Sequence, residues 1–140
     1  ILEMSFAVRV ERYAVLADSG GVGKYRGGCG VERVWRILGN PAQVSVCLER
    51  GATPPFGLAG GGPGAGARVT LIAPDGTERR LNTKGTFTAP PEAQVVMHAP
   101  GSGGYGRASD RDPARAREDR VNGYVGTRAD CSACAPSGGR

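Results

Sequence analysis

Glycine in this chain is concentrated in three clusters that no regular element can cross. They are Asp18–Gly30 (DSGGVGKYRGGCG), residues 51–67 (GATPPFGLAGGGPGAGA) and residues 101–106 (GSGGYG). Glycine loses more conformational freedom on folding than any other residue, and this is offset only where φ is positive or the backbone must approach something closely. Such stretches exclude helix and central strand, so the ordered elements must lie between them. One reading of the clusters is a cradle of backbone N–H groups for phosphate or carboxylate. The other, which the scarcity of strand–loop–helix context favours, is turns and bulges that close a sandwich-like sheet or pack against another subunit. The stretch GGVGKY lacks the GxxxxGK[ST] spacing of a phosphate loop, and no helix follows it.

Between the clusters the pattern is β. Leu2, Met4, Phe6, Val8 and Val10 are apolar at every second position, which predicts a strand, and a phase change near Arg12 predicts a bulge or two strands meeting. Val31–Leu38 reads as a strand. Val44, Val46 and Leu48 alternate after the turn residues Gly39, Asn40 and Pro41, so the two are expected to form a hairpin. Val69–Ile72, the turn Pro74-Asp75-Gly76 and Thr77–Leu81 read as strand, turn, strand, and Gln94–His98 as a last short strand. One helix is predicted, with Asp112 as N-cap, Pro113 in the first turn and Gly123 as the stop. The expected fold is mainly β: an antiparallel sheet or sandwich-like domain over residues 1–125, with long glycine-rich loops, one short C-terminal helix and a flexible tail over 126–140.

Composition limits the core and the partners. Leu, Ile, Val and Phe supply 26 of 140 residues, against 34 Gly plus Pro, which predicts a folded but core-poor chain that depends on a partner. No apolar run approaches the roughly 20 residues of a membrane span. The first ten residues carry Glu3 and Arg9 and have no secretory pattern. Because the chain starts at Ile1 rather than Met, it is expected to be a piece of a longer protein. The net charge is +5, but the densest basic stretch, Arg107 to Arg128, interleaves six Arg with Asp110, Asp112, Glu118 and Asp119. That mixing describes a solvated face rather than a phosphate-tracking stripe, so no nucleic acid is expected.

Chemistry-bearing residues are few. Four cysteines without a secretory signal fit a reducing cytoplasm. Cys131 and Cys134 form a CxxC without a second pair, and Cys29, Cys47 and His98 are the only further soft ligands, so no metal site is expected. His98, the sole histidine, reads as a half-buried strand residue, although a Ser-His-Asp or Cys-His grouping could form only in three dimensions. Asp18 and Asp75 suit turns, where their carboxylates accept from local amides. Lys84, between Thr83 and Gly85, could reach an anion but reads more simply as a solvated turn residue.

The order of the clusters is itself informative. The string VRVERYAVLADSGGVGKYRGGCGVERVWRIL, then GLAGGGPGA, NTKGTF, APGSGGYG and RDP, resembles the carboxy-terminal part of the hydantoinase B/oxoprolinase family over about Leu2 to Tyr124. Residues matching the first motif are Asp18, Gly20, Gly21, Gly23, Arg26, Gly27, Gly28 and Gly30. The second matches at Gly60, Gly61, Pro63 and Gly64, followed by Lys84 and Gly85, then Gly103, Gly104, Tyr105 and Gly106. The chain departs from the family pattern at Ser102, where glycine is usual, at Arg107 and Ala108, where an Asp-Pro pair is usual, and after Gly126. The resemblance implies ATP-dependent hydrolysis of cyclic amides or, in the carboxylase branch, ketone carboxylation through a phosphorylated amide or enol. It also implies a nucleotide-binding A-type subunit or domain as partner. ATP and a divalent metal are implied for the whole assembly, with the metal-binding and reacting groups in the amino-terminal portion of the B-type chain, so none is expected in this part. The role expected here is scaffold, inactive alone; the alternative is a non-enzymatic module binding an anionic partner.

Overall fold

Alternation of apolar and polar residues decides which segments pair. In the computed structural model, which describes residues 1–126, seven strands form: β1 (Val8–Val15), β2 (Val31–Ile37), β3 (Ala42–Cys47), β4 (Arg68–Ile72), β5 (Glu78–Leu81), β6 (Lys84–Ala89) and β7 (Gln94–His98). Five of them make one antiparallel sheet in the order β1-β2-β7-β4-β5, and β3 pairs with β6 in a separate two-stranded layer. Register puts Leu71 opposite Val95, and Val95 opposite Trp35, so their side chains share one face. Against that face lie Ala42, Val44, Phe87 and Ala89 of the second layer. The fully enclosed centre is small: Ile37, Val69, Leu71, Ala89, Ala93 and Val95. A core holding only four residues larger than alanine is what the low count of large apolar residues anticipates.

Several local expectations match the structure. The register slips between Val10 and Arg12, as the phase change predicts. In the β4–β5 turn the Thr77 amide donates to Asp75 Oδ1 at 2.9 Å, and Gly76 takes φ +85°. The helix α2 spans Pro113–Val121; Asp112 Oδ1 accepts from the Ala114 amide at 2.8 Å, and Gly123 at φ +71° follows its end.

Two expectations are corrected, and one strand is unforeseen. The Val31–Leu38 and Val44–Leu48 segments do not form a hairpin: β2 has β1 on one side and β7 on the other, which leaves it no free edge, and β3 crosses to the second layer instead. Its partner β6, KGTFTA, has a single large apolar residue, Phe87, and is not legible as a strand beforehand. Leu2–Ser5 is a single helical turn, α1, rather than the start of the first strand. The physical reason is register: Val8 already faces Ile37, the last residue of β2, and the pairing ends one residue further, where the Ala7 carbonyl accepts from the Leu38 amide, so residues before Ala7 have no neighbouring strand to bond. Instead Glu3 Oε1 accepts from the Val10 amide at 2.7 Å. The expected tail and the Cys131/Cys134 pair fall almost wholly outside the described residues.

Candidate functional site

The three glycine clusters meet. Their backbones run side by side and bond to one another as well as within themselves. The amides of Gly21 and Gly62 donate to the carbonyls of Ser102 and Val22, at 2.8 and 2.7 Å. That of Gly104 donates to Gly62 at 2.9 Å, and that of Leu58 to Gly104 at 2.9 Å. Tyr25 and Tyr105 exchange a reciprocal pair at 2.9 Å each. Ser19, buried at the root, accepts from the Gly30 amide and donates to the Leu16 carbonyl.

The spacing is too close for any side chain. A Cβ at Gly101 would lie 1.8 Å from the Ser19 carbonyl oxygen, at Gly27 2.0 Å from that of Ser102, and at Gly104 2.1 Å from that of Val22. At Gly20, Gly21, Gly23, Gly30, Gly61, Gly64 and Gly103 a Cβ would likewise fall within 3 Å of backbone atoms. For Gly21 the obstructing atoms include the Pro63 carbonyl carbon. Gly60 and Gly106 instead take positive φ, +88° and +73°, and Gly28 has only the Ser102 hydroxyl at 3.7 Å. The glycines therefore form an interlocked backbone weave, with close approach as the main reason for glycine.

Helix α2 is tied to this weave through Asp119. Its carboxylate accepts from Arg111 and pairs with Arg26 Nε at 3.3 Å. Arg26 also donates to the Gly27 carbonyl and stacks over Tyr124 at 5.0 Å, while Arg111 donates to the Lys24 carbonyl. The Asp18 amide donates to the Tyr124 carbonyl, and the Gly126 amide reaches the Asp18 carboxylate at 3.2 Å. Asp119 carries no motif in the sequence; only its place among the arginines of ARAREDRV could have pointed to it.

The opposite face of the five-stranded sheet carries a second group of titratable side chains, along an open groove of about 630 Å³. His98 Nε2 lies 2.8 Å from Glu32, whose other oxygen takes Arg12 Nε at 2.6 Å. His98 is thus the half-buried strand residue expected, held by the Glu32 carboxylate. Nearby, Glu11 bonds Arg36 Nε at 2.5 Å and Gln94 at 2.5 Å. Chiefly the Arg36 hydrogen bond, with Gln94 and Arg9 adding to it, lowers the Glu11 carboxyl from its ordinary 4.5 to about 2. A carboxyl depressed on folding contributes stability above its unfolded pKa and loses it as pH falls through the folded one. The stability gap between the wild type and Glu11→Gln is therefore expected to be constant above about pH 5 and to close between pH 4.5 and 2. Urea unfolding at stepped pH reads this, and a gap that persisted at pH 2 would contradict it.

Lys84 and Gly85 stand apart from the weave, at the start of β6. Lys84 Nζ pairs with Glu49 at 2.7 Å, which raises the lysine pKa and lowers that of the carboxyl. Lys84 is thus the first residue of a strand rather than a turn residue, its side chain still largely exposed as expected and paired with Glu49. The implied ATP and divalent metal find no fit in these residues. Among the described residues no three His, Cys, Asp or Glu side chains are grouped to hold a metal. The amides of Gly21, Gly27, Gly62, Gly64, Gly101 and Gly104 donate to protein carbonyls rather than lining an open cradle.

A family model described as hydantoinase B/oxoprolinase matches residues 1–108. The chain is 33% identical to the caprolactamase subunit beta of Pseudomonas jessenii over 135 residues, covering 89% of this chain and 22% of that protein. It is 31% identical to the 5-oxoprolinase of Dictyostelium discoideum over 107 residues, covering 76% of this chain and 8% of that one. The crystal structure of ATP-dependent caprolactamase from Pseudomonas jessenii superposes with a TM-score of 0.74 at 32% identity, over 89% of this chain and 22% of that one. A nucleotide-free acetone carboxylase shares the fold, with a TM-score of 0.76 at 23% identity, over 91% of this chain and 21% of that one. The chain thus spans about a fifth or less of the length of these relatives.

Proposed function

Because the chain belongs to the hydantoinase B/oxoprolinase family, we propose that it is the carboxy-terminal, β-rich scaffold of an ATP-dependent assembly that hydrolyses cyclic amides. The observation that carries this reading is the weave: most of the family-motif glycines are used in backbone-to-backbone contact, and their amides donate to protein carbonyls rather than standing open to a ligand. The relatives named 5-oxoprolinase and caprolactamase support the cyclic amide as substrate class. In this reading an A-type subunit binds the nucleotide, and the divalent metal and reacting groups belong to the amino-terminal portion of the B-type chain. The assembly works in the cytoplasm, where ATP and reduced thiols coexist.

The carboxylase branch is supported by fold alone, since the acetone carboxylase is 23% identical. The test is ADP release measured against ring opening of 5-oxoproline and caprolactam. The 140-residue chain alone is expected to be inert, and the complete assembly to couple one to the other. Turnover by the isolated chain, or ADP release driven by a ketone and bicarbonate but by neither lactam, would overturn the proposal.

A further inference from the structure

At the outer end of the weave the structure exposes a group of large apolar side chains: Val22 (64% exposed), Tyr25 (51%), Leu58 (57%) and Tyr105 (54%). Their backbones adjoin. Tyr105 bridges Tyr25 on one side and Leu58 on the other, the two tyrosine rings lie 6.3 Å apart, and Val22 sits over Gly62. A cluster of this kind on a chain with so few large apolar residues marks an interaction surface. It is also preorganised: the backbone beneath it is bonded on both sides and cannot rearrange without breaking the weave, so little ordering entropy is lost on docking.

The rim decides what the surface accepts. Lys24 lies against Gly106, and Arg107 against Gly60. Neither cation has an ion-pair partner among the described residues. A second copy of the chain meeting this face about a two-fold axis would bring four like charges into one interface, which disfavours self-association. The partner must instead present an apolar centre with carboxylates around it. In the curated relatives the matched region is about a fifth of a longer polypeptide, so most of such a chain is available to cover it.

We propose that the Val22, Tyr25, Leu58 and Tyr105 face, rimmed by Lys24 and Arg107, docks an acid-rimmed apolar surface of a hydantoinase B-type polypeptide outside these 140 residues. This rests on the scaffold reading above, and names the surface through which the scaffold acts.

The test places a photo-crosslinking benzoylphenylalanine at Leu58 or Tyr105, both more than half exposed, with a third variant at the exposed Arg80 as control. Each is made in cells that also produce the A-type and B-type polypeptides, and adducts are mapped by mass spectrometry. The expected result is an adduct from positions 58 and 105 to a carboxylate-flanked B-type segment, reduced at least tenfold by the double variant Lys24→Glu/Arg107→Glu. Adducts to a second copy of this chain, or a yield unmoved by the charge reversal, would overturn the proposal. B-type adducts from position 80 with none from 58 or 105 would overturn it and leave the scaffold reading standing. No adducts from any position would overturn both.

Discussion

Gly27→Ala is expected to prevent folding, whereas Gly28→Ala, one residue further on in the same motif, is expected to fold like the wild type. The new methyl at position 27 would lie 2.0 Å from the Ser102 carbonyl oxygen and 2.8 Å from that of Gly103, both main-chain atoms. Moving Ser102 breaks the bonds it makes to the Gly21 amide and the Gly28 carbonyl, each 2.8 Å long. Overpacking costs about 1–3 kcal/mol, and each buried polar group left unsatisfied about 1–3 kcal/mol more. The sum, about 3–9 kcal/mol, matches or exceeds the stability of a domain at the lower end of the usual range of about 5–15 kcal/mol, where a core this small belongs. At position 28 the nearest atom is the Ser102 hydroxyl at 3.7 Å, an ordinary contact, and φ lies outside the left-handed region. There alanine restricts the unfolded chain, which offsets any local repacking to within about 1 kcal/mol. Soluble yield and thermal midpoints of the two variants decide the matter, and equal damage from both would refute close approach as the reason for these glycines.

The second large effect is expected at Asp119. Asp119→Ala leaves Arg26 and Arg111, each about 17% exposed, without their shared carboxylate. Fully buried charge left uncompensated costs about 3–5 kcal/mol; with partial solvent access about 2–3 kcal/mol is expected here. The loss should be local, because α2 packs on the weave and not on the apolar core, in which it has no residue. Amide exchange in α2 (Pro113–Val121) is therefore expected to accelerate about 30- to 160-fold, the same energy expressed as an opening equilibrium, while β2, β4 and β7 keep their protection. Sheet and helix losing protection together would show that the helix is part of the cooperative core instead.

What was legible in the sequence followed from local physics. The bulge at Val10–Arg12 shows as a change of alternation phase, the Asp75-Gly76 turn as a side chain that accepts from an amide two residues on, and α2 as an N-cap, a proline and a glycine stop in the right places. Each signal is contained within a dozen residues. The β3–β6 pairing, by contrast, joins segments about 40 residues apart, and β6 has too little apolar character to declare itself. The hairpin expected between β2 and β3 failed because both edges of β2 were taken by β1 and β7, a competition that no local pattern reveals. The Glu32–His98 contact is of the same kind, made only because β2 and β7 lie side by side.

The glycine clusters divide along this line. By itself the sequence determined that these three segments could be neither helix nor central strand, that the core would be small, and, through the order of its motifs, which family the chain resembles. Only the tertiary structure decided that the clusters interlock, that Gly27 is enclosed where Gly28 is open, and that Tyr25, Leu58 and Tyr105 share one exposed face. The physical reason is that a missing side chain records that something comes near but carries no information about what. The identity of the neighbour is set by long-range packing, in which residues more than 100 positions apart in the sequence bring their main chains to hydrogen-bonding distance.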